Sequence, residues 1–347
     1  MTFLLDRRTF LMGSAAAAGL LAAPAILRAQ ARELNLYSSR HYDTDEQLYA
    51  EFTQATGITI NRIEAGADAL IERMTSEGAN SPADILITVD AGRLVRAQDA
   101  GLLQPLASEV LASRIPSYLR DADGHWFGFS KRARVIMYNR DALSGDEIST
   151  YEELADEAWR GRLLTRSSTN IYSQSLTGSV LAALGEEATE AWARGIAANL
   201  ARPPQGGDTD QIRACAAGEG DIAISNTYYL GNLKRSENAD DRAVADRIGV
   251  IFPNQGDRGT HVNISGGGIA RHAPNREAAQ LFLEYLASDS AQAYFAEGNS
   301  EYPVVEGVPV AEHIAAFGEF REDTLDASVF ARNNAQALMI MDRAGWP

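Results

Sequence analysis

The chain has one cysteine, Cys215, among 347 residues. No intrachain disulfide can form, and no cysteine-built zinc or iron–sulfur site can exist. Lysine is nearly as scarce, since Lys131 and Lys234 are the only two of 31 basic residues that are not arginine. A phosphate-binding Gly-Lys-Ser/Thr loop is excluded, because Ser130 precedes one lysine and Leu233 the other. A Ser-x-x-Lys acylating pair is excluded too, because Gly128 and Gly231 stand three residues upstream. Neither His-Glu-x-x-His nor Gly-x-Ser-x-Gly occurs. Positive charge is in deficit, with a formal net charge of −16. A chain this acidic does not hold a nucleic-acid backbone by counterion release. Long apolar runs are also missing: none beyond residue 31 would span a bilayer. An enzyme is not expected.

The hydrophobic fraction of 45% and charged fraction of 22% are those of a globular protein. The length suits two domains of about 150 residues each. The N-terminus reads as an export signal. Arg7-Arg8-Thr9-Phe10-Leu11 stands before an uncharged run from Met12 to Leu27. Ala29-Gln30-Ala31 then supplies a small-x-small cleavage pattern, which predicts a mature start at Arg32. Gly13, Gly19 and Pro24 make the run too short and too broken for a transmembrane anchor. The paired arginines resemble a twin-arginine signal, although Asp6 sits where Ser or Thr is usual, and a plain Sec signal is the alternative. Removing residues 1–31 takes away Arg7, Arg8, Arg28 and Asp6, a net of +2, and moves −16 to −18. A periplasmic protein without a membrane span is expected.

Strands and helices alternate along the rest. Glu33–Ser39 reads as a strand, Asp45–Thr56 as a helix capped by Asp43 or Thr44, Ile58–Glu64 as a strand and Asp68–Glu77 as a helix stopped by Gly78. Ala83–Val89 is a buried strand and Gly92–Ala100 a helix. A second series runs from Gly161–Leu164 through a helix near Gln174–Leu184 to strands at Asp221–Ser225 and Arg247–Phe252. This order predicts an α/β fold of two lobes, each a mixed, mostly parallel sheet flanked by helices. No flexible linker separates the series, so two crossing strands must join the lobes: Gly128–Asn139 and Val250–Asn263. The lobes would comprise residues 32–130 plus 256–306 and residues 131–255 plus 307–347. A cleft would lie between them.

Open parallel sheets bind ligands beyond the carboxyl ends of their strands. Three of those places deliver tyrosines: Tyr42 after the first strand, Tyr172 after the strand at 162–165, and Tyr228-Tyr229 after the strand at 221–225. A single tyrosine is ordinarily a structural residue. An adjacent pair beyond a strand should not place both rings in one core, because neighbouring side chains diverge. Gly266-Gly267-Gly268 suggests close packing near the hinge more than a phosphate cradle. His125, His261, His272 and His313 lack ligand spacing and read as surface or loop residues, and Cys215 as a small buried residue in a helix.

The segments Tyr37-Ser38-Ser39-Arg40-His41-Tyr42-Asp43-Thr44-Asp45, Ser130-Lys131-Arg132-Ala133-Arg134, Ser225-Asn226-Thr227-Tyr228-Tyr229 and Val262-Asn263-Ile264-Ser265-Gly266-Gly267-Gly268 resemble the periplasmic ferric-ion-binding proteins of bacterial iron ABC importers. The resemblance runs through the whole mature chain. It implies a type II periplasmic-binding-protein fold holding one Fe(III) in the cleft through phenolates, with Tyr42 from the first lobe and Tyr172, Tyr228 and Tyr229 from the second. Some members use a histidine and a carboxylate instead, whereas Tyr42 beside His41 matches the tyrosine-rich branch. His41 is then a hydrogen-bond donor behind the ligands. The implied partner is an ABC permease of the inner membrane, and a monomer is expected.

The chemistry agrees. Fe(III) is a hard cation that prefers anionic oxygen, and a bound cation lowers a phenol's pKa so that it ligates as phenolate. Four phenolates bring −4 against +3. Arg132 or Arg134 would balance the surplus, the family analogy favouring Arg132; an ordinary surface ion pair is the alternative for both. An anion or water is expected where the shell needs a further ligand. Within the same fold, a polyamine receptor using aromatics and carboxylates, or an oxyanion receptor, stays open. An exported metalloenzyme is the reading from another class.

Overall fold

A computed structural model describes residues 33–40 and 45–347. The export signal falls outside the described residues, as do His41, Tyr42 and the capping residues Asp43 and Thr44. The strands are β1 (Glu33–Ser38), β2 (Thr59–Glu64), β3 (Ile85–Thr88), β4 (Phe127–Asn139), β5 (Leu163–Leu164), β6 (Ile222–Asn226), β7 (Ile248–Ile251), β8 (Val262–Ile269) and β9 (Tyr302–Pro303). Their order is β2-β1-β3-β8-β4-β6-β5, with β7 and β9 also paired to β4. Helices fill the intervals as the alternation predicts, and β1 runs parallel to both β2 and β3.

β4 is the strand shared by both halves of this arrangement. Its 13 residues extend for roughly 40 Å, long enough to serve two sheets. Phe127 to Ala133 pair antiparallel with β8, and Arg134 to Asn139 pair antiparallel with β6 and β7. Successive side chains of a strand point to opposite faces, which sorts the core. Val135, Met137 and Ala223 enter the larger apolar cluster, whereas Ile136, Ile222 and Ile224 enter a second one built on Trp159, Trp192 and Trp346.

The second crossing is interrupted. β7 ends at Ile251, and residues 252–261 form a turn before β8 begins at Val262. Asn254 takes a left-handed φ of 60° there and holds the turn by side-chain bonds to Tyr151 N and to Glu152. Sequence alternation could not show this excursion, because the turn is fixed by residues about 100 positions away. The glycine run lies inside β8, between β3 and β4. A Cβ on Gly266 would stand 2.5 Å from the Phe127 carbonyl oxygen, and one on Gly268 2.0 Å from that of His125. Close packing, not phosphate binding, explains these glycines. Among the described residues no helix is long and apolar enough to cross a membrane.

Candidate metal centre

β6 ends at Asn226, and the helix Thr227–Arg235 starts at the next residue. Tyr228 and Tyr229 therefore stand in a first helical turn and not in a loop. Their rings lie 4.1 Å apart between centroids, tilted by 31°. The expected divergence fails because successive helical residues are about 100° apart, where strand neighbours are opposed. Tyr172 is likewise in a first turn. The Asn170 side chain accepts from Tyr172 N at 3.0 Å and caps the helix Ile171–Leu184. The Tyr172 and Tyr228 hydroxyls meet at 3.4 Å, with both side chains buried and Tyr229 half-buried. Three of the four candidate tyrosines thus converge from two helix N-termini. Tyr42 and His41 lie outside the described residues.

Arg132 and Arg134 sit two apart on β4 and so share one face. Their guanidinium carbons lie 5.9 and 5.7 Å from the centroid of the Tyr172 ring. They are 1% and 2% exposed, which overturns the reading of either as a surface ion pair. Each faces a carboxylate that a further arginine shares. Arg134 Nη1 donates to Asp208 Oδ1, and Arg166 Nη1 donates to Asp208 Oδ2 at 2.8 Å. Arg132 Nη1 donates to Ser265 Oγ at 2.8 Å and lies 3.6 Å from Glu301 Oε1.

Glu301 joins this site to the segment before Tyr42. Its other oxygen accepts from Arg40 Nη1 at 3.1 Å and Ser130 Oγ at 2.8 Å. Arg40 Nε in turn donates to Asp45 Oδ2 at 3.0 Å. Arg40 and Asp45 form a buried ion pair on either side of residues 41–44, which lie outside the described residues. Asp90 is a further enclosed carboxylate. Burial raises its pKa, opposed by the charges of Arg93 and Arg132 and by hydrogen bonds from Gly92 N and Ser175. None of Asp90, Asp208 and Glu301 emerged from the sequence. Asp90 alone had a signal there, as the polar residue between a buried strand and a helix.

His261 lies in the irregular segment before β8, a loop position as expected, but not on the surface. It is buried against Phe330, and burial, aided by Arg134, Arg258 and Arg132, pushes its pKa down to about 3. A neutral imidazole adds no charge here. Asp121, Asp123 and His125 come within ligand distance of one another. Asp121 is already occupied, however, by the amides of Asp123 and His125 and by Gln98 Nε2. Cys215 is buried as expected, and burial raises its thiol pKa to about 12.

Residues 47–321 match the family model described as bacterial extracellular solute-binding protein. The chain belongs to that family. This solute-binding protein is 55% identical over 315 residues to iron uptake protein A1 of Synechocystis, covering 91% of this chain and 88% of the relative. It is 51% identical to iron uptake protein A2 of the same organism over the full length of both. Among solved structures, a Trichodesmium IdiA (FutA) in complex with iron and citrate superposes with a TM-score of 0.89 at 57% identity, covering 91% of this chain and all of that one. The likeness is to transport proteins, and the family is not one of enzymes.

Proposed function

We propose that this solute-binding protein captures Fe(III) in the periplasm, through tyrosine phenolates in a cleft between its lobes, and delivers it to an ABC permease. One observation carries the reading: Tyr172, Tyr228 and Tyr229 converge beside two buried arginines. Phenol oxygens suit a hard cation, and the arginines offset the surplus charge of phenolates. The iron-binding relatives support the same cargo. In this reading Tyr42 is the fourth phenolate and His41 a hydrogen-bond donor, both outside the described residues. Arg134 keeps Nε and Nη2 buried without a hydrogen-bond partner among the described residues, which suits an added anion or water. A polyamine would need carboxylates turned toward the aromatics. Here Asp208 and Glu301 face arginines instead.

The lobes are residues 32–130 plus 256–306 and 131–255 plus 307–347. In support, β9 pairs with the first-lobe end of β4, while the helices Ala327–Arg332 and Asn334–Arg343 pack on Ile171–Leu184. With Tyr42 opposite the other three, iron draws the lobes together. Small-angle scattering should give a smaller radius of gyration with iron than without. Identical profiles with iron demonstrably bound would rule out ligation across the cleft.

The working protein is a monomer exported by the twin-arginine route. Intact-mass measurement of a periplasmic extract should find a chain starting at Arg32. Lysine at both Arg7 and Arg8 should block export, and normal processing of that variant would mean the Sec route. Visible charge-transfer absorption by the purified iron-loaded protein tests the cargo itself.

A further inference from the structure

Asp90 follows β3 in the first lobe and caps the helix Ala91–Asp99, accepting from Gly92 N at 2.7 Å. The cap does not exhaust its carboxylate. Ser175 Oγ lies 3.1 Å from both oxygens, and Asn263 Nδ2 donates to Oδ2 at 2.7 Å. Ser175 belongs to the helix of the other lobe that carries Tyr172, three residues further on and so on the same face. Asn263 stands opposite Arg132 in the β4/β8 ladder, and the Arg132 guanidinium carbon lies 5.9 Å from the centroid of the Tyr172 ring. Asp90 and Ser175 are 0% exposed. The contact is therefore a dry, charge-assisted bond between lobes, one turn from a candidate ligand.

We propose that Asp90 is a positioning residue for iron retention: through Ser175 it anchors the Tyr172 helix to the opposite lobe. The anchor rests on the Fe(III) reading. Separating the lobes must break this bond before iron can leave, so its strength sets the residence time of the metal. Packing agrees, since the helix Ala327–Arg332, lying on the Tyr172 helix, also meets Ala91–Asp99 through an Arg332–Asp99 ion pair at 2.9 Å.

The test compares wild type with Ser175→Ala, which removes the hydroxyl and no ligand. Iron-loaded proteins are mixed with excess chelator and the decay of the visible band is followed. Melting temperatures are taken with and without iron. Release about tenfold faster is expected, as for loss of a hydrogen bond to a charged group, with an unchanged band at saturating iron. Iron-free melting should stay close to wild type while stabilisation by iron shrinks. Release within twofold of wild type would overturn the anchor. Equal losses of melting temperature with and without iron would overturn it as well, since that is simple packing damage. If wild-type protein itself takes up no iron, the Fe(III) reading fails first and the anchor's role falls with it.

Discussion

Tyr228→Phe and Tyr229→Phe are each expected to weaken iron binding about 100-fold and to shift or bleach the visible band. The estimate follows from metal sites generally. Four ligands binding a cation with roughly 10–16 kcal/mol contribute about 3 kcal/mol each, and that energy is about two decades of affinity. Phenylalanine keeps the ring, so the 4.1 Å ring contact between the two residues survives while one anionic donor is lost. Loss of affinity is then a property of the oxygen and not of packing. Acid should release iron from every variant, because protons compete for phenolates. Release should begin at higher pH in the variants, whose remaining ligands hold the metal less tightly. Tyr138→Phe is the control. Its hydroxyl donates to the Ser144 carbonyl at 3.3 Å, away from the cluster, and its spectrum and affinity should be those of wild type. Wild-type affinity in both tyrosine-pair variants would remove the site and return the polyamine reading.

The legible part of this protein was local. Asp45–Thr56 and the stop at Gly78 follow from short-range apolar spacing and helix punctuation, and the structure places both as expected. β4 was legible for a different reason: two α/β series without a linker require a strand that serves both. The converging tyrosines could be found because each follows a strand in the sequence. Their geometry could not, since the start of the helix at Thr227 decides that the Tyr228 and Tyr229 rings come within 4.1 Å of each other. The charges behind them were hidden as well. Glu301 lies 171 residues from Ser130 and 261 from Arg40, and no local pattern marks a residue whose partners are that distant. Arg132 and Arg134 were expected as charge partners of the phenolates, with a surface ion pair as the alternative, and their burial was hidden because arginine is usually exposed. Only a fold that supplies Asp208 and Glu301 can bury them.

Glu301→Ala should cost about 3 kcal/mol of stability yet leave iron binding in place. Glu301 is 0% exposed and lies between Arg40 and Arg132, which are themselves buried. Removing one partner of a buried pair leaves an uncompensated charge, and that costs more than the pair contributes. For a chain of this size the melting temperature should fall by about 5 °C. Glu301→Gln should fall less far, since the amide oxygen still accepts one of the hydrogen bonds. The effect on the metal has the opposite sign. Glu301 draws on the positive charge of Arg132, so its removal leaves that charge more available to the phenolates beside it. Phenolates in a more positive field resist protonation, and the pH of half-release should be equal to or lower than that of wild type. Melting curves and acid titration of the visible band on one preparation separate the two effects. A variant that melts normally would contradict the buried network. One that loses iron at higher pH would mean that Glu301 serves the ligands directly.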